Sequence, residues 1–242
     1  MSSAPVRFAV VPGLGLDERS WSGVLDRLPA SVPATVLPLP GMGRRKPVPA
    51  LETLAEEVRS RLGEGPVVLV GHSQGCQVAV TVAECDPRVV AVVLLGPTTD
   101  PRLRRLPGLV GAWVRTAVRE PWGQVPRILA QWLRTGPRGM RALWRRASPD
   151  RIELRLARVG VPVTVVRGSR DALCPADWAS ELGAAAPRGR LVEIPGAAHM
   201  TPQTHPAEVA TVLLDRVLID RSGAEGWVLP PARRFRSARE PR

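Results

Sequence analysis

Short, Val-rich apolar runs recur along the chain with helix-like stretches between them, and this alternation limits the fold more than any other feature. The runs are Val6 to Val11, Thr35 to Leu39, Val67 to Val70, Val89 to Leu95, Val161 to Arg167 and Leu191 to Ile194. None alternates apolar with polar residues, as a strand with one wet face would, so each reads as a strand buried on both faces. Strands of that kind need helices on both sides of the sheet, and the intervening stretches supply them. Asp17 is placed to cap a helix running to about Leu28, Leu51 to Leu62 has helical spacing, Gly75 to Glu84 follows a turn, and Ala207 to Leu218 closes the domain. The expectation is an α/β fold of six mostly parallel strands. A chain of 242 residues, 44% of them hydrophobic, is long enough to bury such a core without disulfides.

The rhythm breaks between about Pro101 and Leu156, where no strand pattern survives and Pro107, Pro121, Pro126 and Pro137 interrupt the chain. Three short amphipathic helices are expected there. One carries Leu109, Val110, Trp113, Val114 and Ala117 on one face, the next Val125, Ile128, Leu129 and Trp132, the last Met140, Leu143 and Trp144. The chain's net charge is +12, and residues 101–160 carry +11 of it while 221–242 carry +4, so the remainder is acidic by 3. The organisation expected is a core of residues 1–100 and 157–220, an insertion at 101–156 and a basic, Pro/Arg-rich tail at 221–242. Cys76, Cys85 and Cys174 are odd in number and lack metal-binding or redox spacing, which points to a reduced, cytoplasmic setting with no metal. No apolar run reaches the length of a membrane span. The tail has Arg233, Arg234 and Arg236 around Phe235 but no recognition motif, so no nucleic-acid partner is expected.

The chemistry is concentrated at Gly71-His72-Ser73-Gln74-Gly75, directly after an apolar run and directly before a helix-forming stretch. A sharp strand-to-helix turn strains the Ser73 backbone and leaves no space for side chains at Gly71 and Gly75, so a serine there projects from the tip of the sheet as a nucleophile. A serine hydroxyl needs a base, and the base needs an orienting acid. Of the three histidines, His72 belongs to the turn and has a packing role, and His205 starts the last helix in a capping or solvated role. His199 follows the last strand, on the same carboxyl edge as Ser73, and is the candidate base. Asp171 ends the run Gly168-Ser169-Arg170-Asp171 after the preceding strand and is the favoured acid. Asp100 is its competitor, although Asp before Pro is also a natural turn residue. For the oxyanion, the backbone N–H groups of Gln74 and of Leu14, in the loop Pro12-Gly13-Leu14-Gly15, are the candidate donors. That loop lacks the Gly-Lys-Ser/Thr of a phosphate-binding loop, and no cofactor is expected.

With Ser, Asp and His in that order, residues 5 to 220 resemble the α/β-hydrolase superfamily. The resemblance implies an α/β-hydrolase fold, lacking the family's opening hairpin here, with 101–156 as a helical lid. It also implies a serine esterase of the carboxylic ester or thioester type. The activity expected is cleavage of an ester, thioester or lactone through an acyl-Ser73 intermediate, on a small to medium apolar acyl substrate that could be anionic or carrier-linked to match the basic lid. Carbon–carbon bond hydrolysis, acyl transfer and cyclisation use the same active-site plan, and a ligand-binding role without catalysis is the further alternative.

Overall fold

The computed structural model describes residues 5–40 and 47–221, so the Arg-rich tail from 222 and Lys46 lie outside the described residues. Six strands form one sheet: β1 (Arg7–Val11), β2 (Ala34–Val36), β3 (Val67–His72), β4 (Val89–Leu95), β5 (Val163–Gly168) and β6 (Gly189–Ile194). Every pairing is parallel, and the spatial order is β2-β1-β3-β4-β5-β6. Residues alternate between the two faces of each strand. Val67, Leu69, Val92, Leu94, Val163 and Val165 pack into one core, and Val68, Val70, Val93, Leu95 and Val166 into the other. Helices cover both cores. On the first lie α2 (Leu51–Arg61), α3 (Gly75–Ala83), α6 (Ile152–Leu156) and α7 (Ala176–Ala185), and on the second α1 (Ser22–Leu25), α8 (Thr201–Thr204) and α9 (Pro206–Arg221).

Several strand limits differ from the sequence reading: β3 runs on to His72 and β6 begins at Gly189, while proline explains the early end of β2 and the late start of β5. The β2 ladder stops at Val36: Leu37 N–H still donates to the Val10 carbonyl at 2.8 Å, but the next donor in register on the β1 side would be Pro12, which has no N–H, although Leu37 and Leu39 remain buried. The β5 ladder starts at Val163, since Pro162 contributes only its carbonyl, which accepts Val92 N–H at 2.9 Å. The helix expected from Asp17 to Leu28 is two short pieces. Asp17 caps a 3-10 turn (Glu18–Ser20) by accepting Arg19 N–H, and α1 begins only after the buried Trp21. Helix α7 is additional to the helices expected.

Between β4 and β5 runs the insertion. It contains α4 (Leu106–Ala117) and α5 (Val125–Ala147), and α5 is broken at Gly136 (φ 75°, ψ 159°) just before Pro137. Three helical segments therefore occur where three were expected, and the short α6 is a fourth. Gln74 and Gln77 of the core donate to the carbonyls of Leu143 and Ala147 at 2.7 and 2.9 Å, which fixes the second half of α5 above the carboxyl edge of the sheet. Among the described residues no helix is long and apolar enough to cross a membrane.

Candidate active site

In a parallel sheet, ligands bind at the carboxyl edge where the strand order reverses, because the loops there diverge and leave a crevice. The reversal here falls between β1 and β3, and the residues that follow those strands are the Pro12–Gly15 loop and Ser73. Ser73 has φ 53°, a left-handed conformation that a side chain rarely adopts. The turn is enforced by crowding. A Cβ on Gly71 would lie 2.6 Å from Cys76 Cα, and one on Gly75 would lie 2.3 Å from the Val11 carbonyl oxygen. Any other residue at either glycine would push β3, α3 and β1 apart.

The structure brings Ser73, His199 and Asp171 together. His199 Nε2 is 2.9 Å from Ser73 Oγ and His199 Nδ1 is 2.8 Å from Asp171 Oδ2. The other Asp171 oxygen, Oδ1, accepts the N–H groups of Leu173 and Cys174 at 2.8 and 3.2 Å. Burial works against both charges, but the groups around them together more than offset it. The His199 pKa is raised above that of an ordinary imidazole, chiefly by Asp171, and the Asp171 carboxyl is held below the usual carboxylate range by His199 and the two amides. Asp100 is not part of this arrangement. It caps the turn at Pro101–Leu103 by accepting Arg102 N–H at 2.8 Å and pairs with the Arg102 guanidinium at 2.6 Å. His205 Nδ1 lies 2.9 Å from the Thr204 hydroxyl, away from the triplet.

Above Ser73 lies a cavity of about 250 Å³ whose walls include Leu14, Leu16, Leu103, Leu109, Trp113, Trp132 and Trp144, with Gln74 and His199 beside the serine. Most of that apolar wall comes from the insertion. Gln74 is the N-cap of α3, so its N–H stands ahead of the helix's own hydrogen-bond ladder at the positive end of the helix dipole. Across the opening, a Cβ on Gly13 would lie 3.0 Å from Ser73 Cβ, so the loop that carries Leu14 passes directly against the serine.

A model of the alpha/beta hydrolase family matches residues 8–212. The chain belongs to that family. Lipase LipV of Mycobacterium tuberculosis (strain ATCC 25618 / H37Rv) is 30% identical over 254 residues, which span 89% of this chain and 94% of the lipase. The pimeloyl-[acyl-carrier protein] methyl ester esterase of Sodalis glossinidius (strain morsitans) is 42% identical over 81 residues, 33% of this chain and 31% of the esterase. Among solved structures, a thermophilic esterase from Thermogutta terrifontis shares the fold with a TM-score of 0.71 and 20% identity, over 90% of this chain and 91% of that one.

Two residues of this hydrolase's site escape sequence reasoning. His72 has more than a packing role: its Nε2 donates to the His199 carbonyl at 3.1 Å, and its ring centroid lies 5.3 Å from that of His199. Burial, with the nearby His199 charge, lowers its pKa to about 3, so it stays neutral and the tautomer with hydrogen on Nε2 follows from the carbonyl it meets. Glu120, in the turn that follows α4, is buried, and its Oε1 accepts the Met200 N–H at 2.8 Å. Burial raises its pKa against the pull of that amide and of His199. A single glutamate in an Arg-rich segment gives no sequence signal beyond being one of few acids there, since its partner lies 80 positions away.

Proposed function

We propose that this hydrolase cleaves an ester, thioester or lactone of a small to medium apolar acyl group through an acyl-Ser73 intermediate. The observation that carries the proposal is the continuous chain from Ser73 Oγ through His199 to Asp171, at 2.9 and 2.8 Å, beneath an apolar cavity. His199 takes the Ser73 proton as Oγ attacks the carbonyl carbon, and the carbonyl pair becomes an oxyanion held by the amides of Leu14 and Gln74. When the oxyanion collapses, the bond to the leaving group breaks and His199 returns its proton to that group. Water then repeats the cycle, with His199 as base, and frees the acid and Ser73. Asp171 keeps hydrogen on Nδ1 and stabilises the imidazolium in both halves.

The substrate class follows from the walls. An apolar cavity of about 250 Å³ accommodates a short or medium acyl chain. The insertion acts as the lid that keeps water from the oxyanion and supplies the aromatic wall. The lipase and esterase names carried by relatives support ester chemistry, and the carrier-linked substrate in one of those names suits the basic surface of the lid. The test is a series of activated esters and thioesters of increasing acyl length, run on wild type and on Ser73→Ala. Turnover that peaks at short to medium chains and falls by about 10⁴-fold or more in Ser73→Ala is the expected result. Equal turnover by both proteins refutes the proposal.

A further inference from the structure

Beside the main cavity lies a smaller one, of about 130 Å³, and the two share Trp113, Trp132, Leu173, His199 and Met200. Thr116, Ala117, Glu120 and Ile128 belong to the smaller cavity alone, and Ser73, Leu14 and Gln74 to the larger alone. The indoles of Trp113 and Trp132, 5.4 Å apart between centroids, form the shared wall. Thus one cavity faces the serine and both oxyanion candidates, and the other meets the reacting groups only at His199.

That division has a chemical meaning if Ser73 and His199 act as proposed above, and the inference rests on that reading. His199 must hand its proton to the leaving oxygen, which therefore comes within hydrogen-bond reach of Nε2. The group beyond that oxygen lies on the histidine side, while the acyl chain and carbonyl oxygen stay on the serine side. Glu120 adds a polar requirement. It is 7% exposed, its Oε1 is occupied by the Met200 amide, and its Oε2 is buried with no hydrogen-bond partner among the described residues. A buried acceptor surrounded by Trp, Ile and Leu lacks a donor, and a bound molecule can supply one.

We propose that the smaller cavity is the leaving-group subsite and that Glu120 selects compact alcohols carrying a second hydroxyl, as in the monoester of a short diol. The hydroxyl donates to Glu120 Oε2 while the ester oxygen receives the proton from His199. A plain alkyl alcohol of the same length leaves that oxygen without a donor and binds its transition state less well.

The experiment compares kcat/KM for 1-propyl butanoate and 3-hydroxypropyl butanoate, followed by acid release at constant pH, with methyl butanoate as the reference. Wild type is expected to favour the hydroxypropyl ester by about tenfold or more, the range for a hydrogen bond to a charged group. Glu120→Leu reduces the preference to within about twofold, and Glu120→Gln, which keeps a carbonyl for the Met200 amide, retains an intermediate preference. Ala117→Leu narrows the cavity without touching the carboxyl and lowers both propyl esters relative to methyl butanoate. These last two variants decide the matter if Glu120→Leu does not fold. A wild-type ratio near one, a preference surviving in Glu120→Leu, or an unchanged propyl-to-methyl ratio in Ala117→Leu overturns the subsite. Labelling by a small fluorophosphonate is measured on the same proteins. Wild type that labels at Ser73 but shows no hydroxyl preference refutes the subsite alone, whereas wild type that does not label at Ser73 refutes the nucleophile reading.

Discussion

Residue by residue, the two carboxylates that compete in the sequence for the role of acid differ in what they touch, and the site depends on one of them. Asp171 spends one oxygen on His199 and the other on two backbone amides, whereas Asp100 is occupied by Arg102. Asp171→Asn is therefore expected to cut kcat by about 10⁴-fold, because it favours the wrong histidine tautomer. Asp100→Asn should change kcat by less than about tenfold, and steady-state kinetics on the two variants checks the ranking. The same pairing sets the pH dependence. His199 is a base only when neutral and its pKa is raised, so kcat/KM should climb with pH through a midpoint above the ordinary value of about 6.5. In Asp171→Asn the residual activity should show a lower midpoint. A wild-type midpoint at or below 6.5 would contradict the charge-paired His199. The pair's contribution to folding is lost as pH rises through the raised His199 pKa and as it falls through the depressed Asp171 pKa, so it is fullest between about 3.9 and 6.5.

Elements were legible to the extent that their causes are local. The turn at Ser73 could be read from five residues because its geometry is set by glycines that admit no Cβ, and this also makes it testable. Gly75→Ala places a methyl group 2.3 Å from the Val11 carbonyl oxygen and should destabilise the protein by about 1–3 kcal/mol, measured as a lower urea midpoint. An unchanged midpoint would mean that β1 and α3 can separate freely. Helix α7 was not legible, because its buried residues, Ala179 and Gly183 beside Trp178 and Leu182, are partly small and leave a faint apolar stripe. The prolines that trim β2 and β5 and the kink at Gly136 were visible as residues, but where pairing resumes depends on the neighbouring strand. The contact between Glu120 and the Met200 amide depends on the whole fold and has no local signature.

In the molecule as a whole, the core and the insertion divide the work. The sheet holds the reacting groups, and the insertion supplies most of the apolar wall and most of the chain's net positive charge. Among the described residues, all the exposed large hydrophobic side chains also lie in the insertion, including Val110, Val114, Trp122 and Leu133. Arg141, Arg145 and Arg146 are exposed on the last turns of α5. If they steer an anionic substrate, attraction screened over about 8 Å at physiological salt should appear in kcat/KM. A salt series is expected to lower kcat/KM for an anionic ester but not for its neutral analogue, and changing all three arginines to Gln should flatten that dependence. Parallel salt profiles for both esters would leave the charge without a role in catalysis. Catalysis through Ser73 Oγ is tested by peptide mass mapping after reaction with a fluorophosphonate, with and without competing ester. A single adduct on Ser73 that the ester suppresses and that His199→Ala slows by orders of magnitude is expected; an adduct on another residue, with catalysis abolished in step, overturns the assignment of Ser73 as nucleophile.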